Sequence, residues 1–207
     1  MTYTTSKPIN ITIHDLTKHY HHTKALQSIN TVFNSGVLNI ITGENGSGKS
    51  TLIKCIMNHV AYKGKVIKKK YRIGYAPENY VMPDFMTIYE FLICIGRIKH
   101  LYNDFLKNEL DVYLDMFQIK HKIDKPIKTL SNGMKQKVNI IQALLNNPKI
   151  IILDEPLVGL DFTSQKHLIK RITQLSKEYL VIISTHHPEK FNTKRKIIYK
   201  FNQGMIE

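Results

Sequence analysis

The eight residues from Gly43 to Ser50 read GENGSGKS and fit the G-x-x-x-x-G-K-[ST] spacing of a phosphate-binding loop. The apolar run VLNIIT before them is typical of a buried strand, and TLIKCIM after them is typical of a helix. This context matters because the loop must point backbone N–H groups and a helix N-terminus at phosphate oxygens. A glycine-rich strand-to-helix turn without a ligand is the alternative, and a full match in this context disfavours it.

The side chains of this loop predict a division of labour around a nucleotide. Lys49 is expected to reach the terminal phosphates, and the Ser50 hydroxyl is expected to ligate magnesium. The glycines allow the backbone to turn inward around the phosphate oxygens. The other residues predicted to bind the nucleotide here are Gly43, Asn45, Gly46, Ser47, Gly48 and Thr51.

A second motif, KIIILDEP, narrows the class of enzyme. Its apolar strand delivers Asp154 to the metal, directly or through water, and places Glu155 next to it to polarise the attacking water. Taken alone, Asp-Glu-Pro is equally compatible with a turn that ends a strand. Together with the phosphate-binding loop it indicates nucleotide hydrolysis, and the absence of an N-K-x-D-like guanine motif from the sequence argues against a GTPase.

The order of apolar runs predicts an α/β fold of the P-loop NTPase type, built as one domain over residues 1–207. We expect a mainly parallel sheet, a small antiparallel β subdomain, and a helical insertion at about residues 84–130. A short hairpin is expected around Lys65 to Arg72. The remaining patterns predict helices over residues 49–59, 134–145 and 164–175, and strands over residues 150–154, 180–184 and 196–201.

Composition bears on the partners. The longest apolar runs, such as VLNII and YLVIIS, fall short of the roughly 18 to 20 residues that a membrane span needs, so a membrane role would require a partner. The net charge of +14 suggests nucleic acid or anionic lipid as ligands. However, only 4 of the 30 basic residues are Arg, the side chain that forms bidentate hydrogen bonds with bases and phosphates. Nucleic acid is therefore not the expected partner.

The sequence HYHH at residues 19–22 could bind a metal, but a solvated loop is the favoured interpretation for its histidines.

These motifs, with LSNGM at residues 130–134, resemble the ATP-binding cassette (ABC) ATPases over nearly the whole chain. In that family a signature close to LSGGQ precedes a helix between the helical insertion and the acidic strand. The resemblance implies ATP and magnesium as ligands, and a head-to-tail dimer with a second ATPase subunit, identical or not. It implies that Ser131, Asn132 and Gly133 contact the ATP held by the facing subunit, and that Asp161 in GLD lies at the same interface. Asn132 and Met134 depart from the usual Gly and Gln.

The resemblance also assigns three residues outside these motifs. Tyr20, in LTKHY, is similar to the aromatic residue that stacks on adenine, although an ordinary Tyr at a strand end fits it too. His186, in IISTHH, is similar to the histidine that holds the γ-phosphate and orients the water beside Glu155, and His187 fits that role less well by register. Glu78 stands where the family usually has Gln, as a nucleotide contact and a possible third metal ligand beside Ser50 and Asp154.

The resemblance implies a subunit that energises a membrane exporter with separate transmembrane subunits, located on the cytoplasmic side of the cell membrane through that partner. Five apolar residues of the insertion recur at helical spacing: Tyr89, Phe91, Leu92, Tyr113 and Phe117. Together with the Glu78 loop they would form a groove that receives a short helix of the partner, or else they simply form the core of the insertion. One alternative is a soluble cassette ATPase that acts on ribosomes or nucleic acid. Another is a nucleotide-binding module that barely hydrolyses.

Overall fold

The computed structural model describes residues 8–207, so the first seven residues of the expected domain lie outside the described part. Within it the strands are β1 Asn10–Tyr20, β2 Thr23–Asn34, β3 Leu38–Gly43, β4 Lys63–Lys68, β5 Ile73–Ala76, β6 Ile150–Asp154, β7 Leu180–Ser184, β8 Lys196–Asn202 and β9 Met205–Ile206. The α-helices are α1 Lys49–Ile56, α2 Ile88–Ile98, α3 Asn103–Met116, α4 Asn132–Leu144 and α5 Phe162–Leu175.

Two sheets organise these elements. The larger has the strand order β5-β6-β7-β3-β8-β9, in which the first five strands are parallel and β9 is antiparallel. The smaller is antiparallel, with the order β2-β1-β4. The predicted α/β class, with a mainly parallel sheet and a small antiparallel sheet, is confirmed.

Burial on both faces explains why the central strands are apolar without interruption. Every residue of β6 and β7 is buried. Alternate side chains point to opposite faces: Ile151 and Leu153 pack with the helical insertion, α4 and α5, whereas Ile150 and Ile152 pack with α1 and the antiparallel sheet. This arrangement fixes β3, β6 and β7 side by side, so that their carboxyl ends form one edge.

The expected hairpin around Lys65 to Arg72 is wrong. β4 pairs with β1 in the antiparallel sheet, whereas β5 pairs in parallel with β6, so the two strands belong to different sheets. Packing against α4 holds β5 in the larger sheet: a Cβ at Gly74 would come within 2.0 Å of the Ala143 carbonyl oxygen. The chain between the two strands is rich in exposed lysine.

The helical insertion begins with a capping box. The Thr87 hydroxyl accepts a hydrogen bond from Glu90 N at 3.1 Å, and Thr87 N donates to Glu90 Oε2 at 2.8 Å. Leu92, Tyr113 and Phe117 are buried in the main core, so their expected place in a partner groove is wrong and the alternative, packing within the insertion, is correct. Tyr89 is partly exposed and Phe91 packs against the core. Among residues 8–207, no helix is long and apolar enough to cross a membrane.

Candidate active site

A cavity of about 150 Å³ lies at the carboxyl edge of the parallel sheet. It draws on the loop between β3 and α1, the segment after β5, the end of β6 and the segment after β7. All of the residues that line it were predicted from the sequence to bind or hydrolyse the nucleotide: Asn45, Gly46, Gly48, Lys49, Ser50, Thr51, Glu78, Glu155 and His186. The fold therefore brings four separate parts of the chain to one concave site.

The loop between β3 and α1 has a conformation that its glycines make possible. Gly48, the residue that precedes α1, has a φ of 111°, and a Cβ there would lie 2.7 Å from the Ala25 carbonyl oxygen. Lys49 is only 6% exposed, and its Nζ donates to the Gly43 oxygen at 2.8 Å and the Glu44 oxygen at 2.9 Å. An ammonium has three donors, so one remains for a ligand oxygen.

Ser47 carries a buried hydroxyl that lacks a partner. Its Oγ makes no hydrogen bond within residues 8–207. Buried polar atoms without a partner are uncommon because each costs roughly 1–3 kcal/mol. Ser47 does not line the 150 Å³ cavity, so this hydroxyl is not evidence of a ligand there.

The acidic pair at the end of β6 is anchored by the neighbouring strand. Ser184 Oγ donates a hydrogen bond to Asp154 Oδ1, and Glu155 N donates to Ser184 Oγ at 3.0 Å and to the Ser184 carbonyl oxygen at 3.2 Å. Glu155 has a φ of 47°, in the left-handed region that residues other than glycine seldom adopt. The sequence analysis missed Ser184, although its place at the end of an apolar strand that precedes His186 was a usable signal.

The Glu155 carboxylate is aimed into the cavity. The residue is 6% exposed, and its Oε1 lies 3.3 Å from His186 Nε2 while making no hydrogen bond. Burial raises the pKa of Glu155, and the charges of His186 and Lys49 oppose that rise. His187 is turned to the surface, where its Nδ1 lies 3.1 Å from Glu189 Oε1. Of the two adjacent histidines, His186 is the one at the site.

The oxygen donors at the site suit magnesium better than a metal that is coordinated by protein side chains alone. The Ser50 hydroxyl and the exposed Glu78 line the cavity, and Asp154 ends the strand that carries Glu155. Across residues 8–207, no group of three or more His, Cys, Asp or Glu side chains is placed to hold a metal. Magnesium keeps waters and shares phosphate oxygens with few protein ligands, so this sparse set fits it.

The signature residues lie outside the lining of this cavity. Ser131 and Asn132 are exposed at the start of α4, where Ser131 Oγ accepts a hydrogen bond from Met134 N at 3.3 Å. Gly133 packs so closely on the loop after β6 that a Cβ would lie 2.4 Å from the Gly159 oxygen. Asp161 caps α5 by accepting from Ser164 N at 2.8 Å, and it pairs with Lys137 at 2.7 Å. Lys137 and Ser164 hold its pKa well below the usual range.

A family model described as ABC transporter matches residues 26–158, which is more than half of the chain. The chain belongs to the ABC transporter family. It is 30% identical to an uncharacterized ABC transporter ATP-binding protein of Bacillus subtilis, over 85% of this chain and 62% of that protein. It is 37% identical to a zinc import ATP-binding protein, ZnuC, of Wigglesworthia glossinidia brevipalpis, over 75% of this chain and 66% of that protein.

A solved structure of the ATP-binding subunit of an ABC transporter has the same fold. It superposes with a TM-score of 0.87 at 26% identity, over 95% of this chain and 87% of that one. The chain spans less than two thirds of the length of the two curated relatives, at 62% and 66%. The chain thus has the fold of an ABC transporter ATP-binding subunit over 95% of its length.

Tyr20, the aromatic residue expected to stack on adenine, ends a strand of the antiparallel sheet. It ends β1 with its ring partly exposed, and Lys18 Nζ lies 4.5 Å from the ring centroid. It does not line the 150 Å³ cavity. Its ring is thus available to a ligand from the solvent side, and stacking on adenine stays a prediction.

Proposed function

We propose that this chain is the ATP-binding and ATP-hydrolysing subunit of an ABC transporter, and that two such subunits work head to tail. The observation that carries the proposal is the cavity that joins Lys49 and Ser50 to an unpartnered buried oxygen of Glu155, with His186 beside it. Phosphate release from ATP by the purified chain, with and without magnesium, is the basic test. A chain that binds ATP and releases no phosphate would favour the non-hydrolysing alternative.

The residues divide the chemistry according to their positions. Lys49 and the loop amides hold the phosphates, and Ser50 and Asp154 would hold a magnesium ion that offsets phosphate charge. Glu155 Oε1 accepts a hydrogen bond from the attacking water and polarises it, and His186 orients that water and the γ-phosphate. Because burial raises the pKa of Glu155, its carboxylate is a stronger base than one in water.

The exposed signature supports the head-to-tail arrangement. Ser131, Asn132 and the N-terminus of α4 make a surface suited to an anion, yet they do not line the cavity of their own chain. A facing subunit could bring its bound γ-phosphate to this surface. Asp161 would serve that interface mainly by holding Lys137 and the first turn of α5 in place.

Glu78→Gln tests whether the departure from the family's usual Gln matters. Glu78 is exposed, so water screens its charge, and we expect the variant to keep ATPase activity within about threefold of the parent near pH 7. The measurement is kcat at several magnesium concentrations. A large loss of apparent magnesium affinity would show instead that the carboxylate is a metal ligand.

A membrane-embedded partner is the second half of the proposal. As the docking site we propose a cavity of about 760 Å³ between α2 and α3, whose lining does not include Glu78, in place of the groove expected at the Glu78 loop. Tyr89 and Tyr102 supply apolar surface to it, while Arg97, Asp104 and Lys107 supply charges of both signs. This cavity suits a short amphipathic helix of a partner. We place the chain at the cytoplasmic face of the cell membrane through that contact.

Salt separates apolar docking from charge attraction. Docking into the cavity between α2 and α3 should weaken only in part at high salt, because salt screens the contacts of its charged side chains and leaves the apolar contacts of Tyr89 and Tyr102. Attraction of a +14 chain to anionic lipid or nucleic acid should fade steeply. The measurement is affinity purification from detergent-solubilised membranes at low and high salt, with Tyr89→Glu as the variant that disrupts the cavity. Co-purification of a polytopic membrane protein that Tyr89→Glu abolishes is the expected result. Nuclease-sensitive recovery of ribosomes or DNA alone would favour the soluble alternative.

Export is the direction we propose, on the strength of the pattern IYEFLICIGRIKHLY ahead of the signature. The Wigglesworthia relative is named for zinc import, so the direction needs an assay of its own. Inside-out membrane vesicles that contain the chain and its partner should take up the cargo on addition of ATP. Uptake of the cargo by right-side-out vesicles loaded with ATP would show import instead.

A further inference from the structure

Three amide side chains form a row on the buried side of α4. Gln136, Asn139 and Gln142 follow one another at intervals of three residues, so they lie on one side of the helix. Gln136 is 5% exposed and Asn139 is 2% exposed. Amides are costly to bury unless they are hydrogen-bonded, so their partners reveal what the row is connected to.

The partners lie in two separate parts of the site. Asn139 Nδ2 donates to the Pro77 carbonyl oxygen at 2.9 Å and to Gln136 Oε1 at 3.3 Å. Gln136 Nε2 donates to the Glu155 carbonyl oxygen at 3.4 Å. A continuous chain of hydrogen bonds therefore runs from Pro77, which precedes Glu78, to the main chain of Glu155.

Both ends of this chain of hydrogen bonds lie just beyond a strand: Pro77 and Glu78 follow the end of β5, and Glu155, with its φ of 47°, follows the end of β6. Ser184 already holds Glu155 N, and the Glu155 carbonyl oxygen accepts from Val158 N at 3.2 Å, so Gln136 adds the link from this main chain to α4. Glu78 and Glu155 line the 150 Å³ cavity together, and they meet again at a cavity of about 110 Å³ that Gln136 and Asn132 also line. The amides thus lie next to the main chain that carries both carboxylates.

We infer that Gln136 and Asn139 are positioning residues that fix the Glu78 loop and the Glu155 main chain relative to each other and to the Ser131 end of α4. Gln136 acts on the reaction through the direction of the Glu155 side chain, and Asn139 acts through Gln136 and the Glu78 loop. The inference rests on the proposed function, since Glu155 must be the group that polarises water. A purely structural role would predict lost stability alone.

The experiment replaces each amide by an apolar side chain of similar size. Asn139→Leu and Gln136→Met remove the two links, and Gln142→Met is the control. Gln142 Nε2 donates to the Tyr75 oxygen at 2.7 Å, within β5, and more weakly to Asn139 Oδ1 at 3.5 Å, so it touches the row but contacts neither carboxylate segment directly. We expect kcat to fall roughly ten- to hundredfold in the first two variants, because small displacements of a reacting group are costly. ATP affinity should stay within about twofold in both, since Lys49 and the loop are untouched. The control should keep its kcat while losing a similar amount of thermal stability.

Hydrogen exchange gives a readout that does not depend on turnover. In Asn139→Leu and Gln136→Met, amide exchange should rise selectively at residues 78–80 and at the non-proline residues of 155–158, and in Gln142→Met it should stay at the parent level there. If Asn139→Leu fails to fold, Gln136→Met alone carries the comparison. Unchanged kcat and unchanged exchange, with stability lost as in the control, would overturn the inference. A wild-type chain without ATPase activity would contradict the proposed function, and the exchange comparison would still decide the inference.

Discussion

Glu155→Gln should lower the rate of ATP hydrolysis by a factor of about a thousand and leave ATP binding intact. The amide keeps the shape of the side chain but cannot accept a proton from water, and a positioned base contributes roughly 10²- to 10⁴-fold to a rate. The phosphate contacts of Lys49 and the loop are unaffected, because the substitution lies on a different element. The measurement is steady-state phosphate release beside equilibrium binding of a labelled ATP.

Lys49→Ala is the contrasting variant for that experiment. It removes the ammonium that bridges the Gly43 and Glu44 oxygens and that has a donor left for phosphate, so tight ATP binding itself should be lost. The two variants thereby separate holding the phosphates from activating the water. Parent-level turnover by Glu155→Gln would show that another group is the base.

Ser131→Arg should also abolish turnover, by at least about a hundredfold, while ATP still binds to the single chain. The reason differs from that for Glu155: Ser131 is exposed and outside the cavity of its own chain, so an arginine there leaves the local site unchanged. In a head-to-tail pair the same side chain would occupy the place of the facing γ-phosphate. The measurement combines ATP binding by the dilute protein with phosphate release at high protein concentration.

Ser131→Ala is the matched control, because Ser131 also caps α4 through its bond from Met134 N. Loss of a cap costs about 1 kcal/mol of stability, and both variants should show it as a similar fall in melting temperature. Only the arginine should prevent the second subunit from closing. Equal loss of turnover in both variants would trace the effect to loss of the hydroxyl, as helix cap or as phosphate contact, and not to blocked closure.

Much of the site was predictable because its residues are encoded in short, local motifs. The loop GENGSGKS and the strand KIIILDEP each need only their own neighbours to be interpreted, and parallel strands necessarily end at a common edge. Lys49, Glu155 and His186 thus meet in one cavity as the sequence predicted. The fold class followed from the same alternation of buried strands and helices.

The features that the sequence did not show depend on contacts between distant residues. Ser184 and Asp154 are 30 residues apart, and Asn139 reaches Pro77 across 62 residues. A polar residue in an otherwise apolar run gives no sign of its partner. The mistaken hairpin has the same origin: local pattern identified β4 and β5 as strands, but the choice of sheet is made by β1, β6 and α4. Helical spacing likewise could not tell which side of α2 and α3 faces the core.

The central claim is that ATP is held between the loop of one chain and the signature of another, and the molar mass in solution tests it most directly. Light scattering should be recorded for Glu155→Gln and for the double variant Glu155→Gln/Ser131→Arg, each with and without ATP and magnesium. The account predicts that Glu155→Gln shifts from one chain to two on addition of ATP, and that the double variant binds ATP but stays a single chain. An ATP-dependent dimer of the double variant, or a Glu155→Gln protein that stays monomeric with ATP bound, would contradict it.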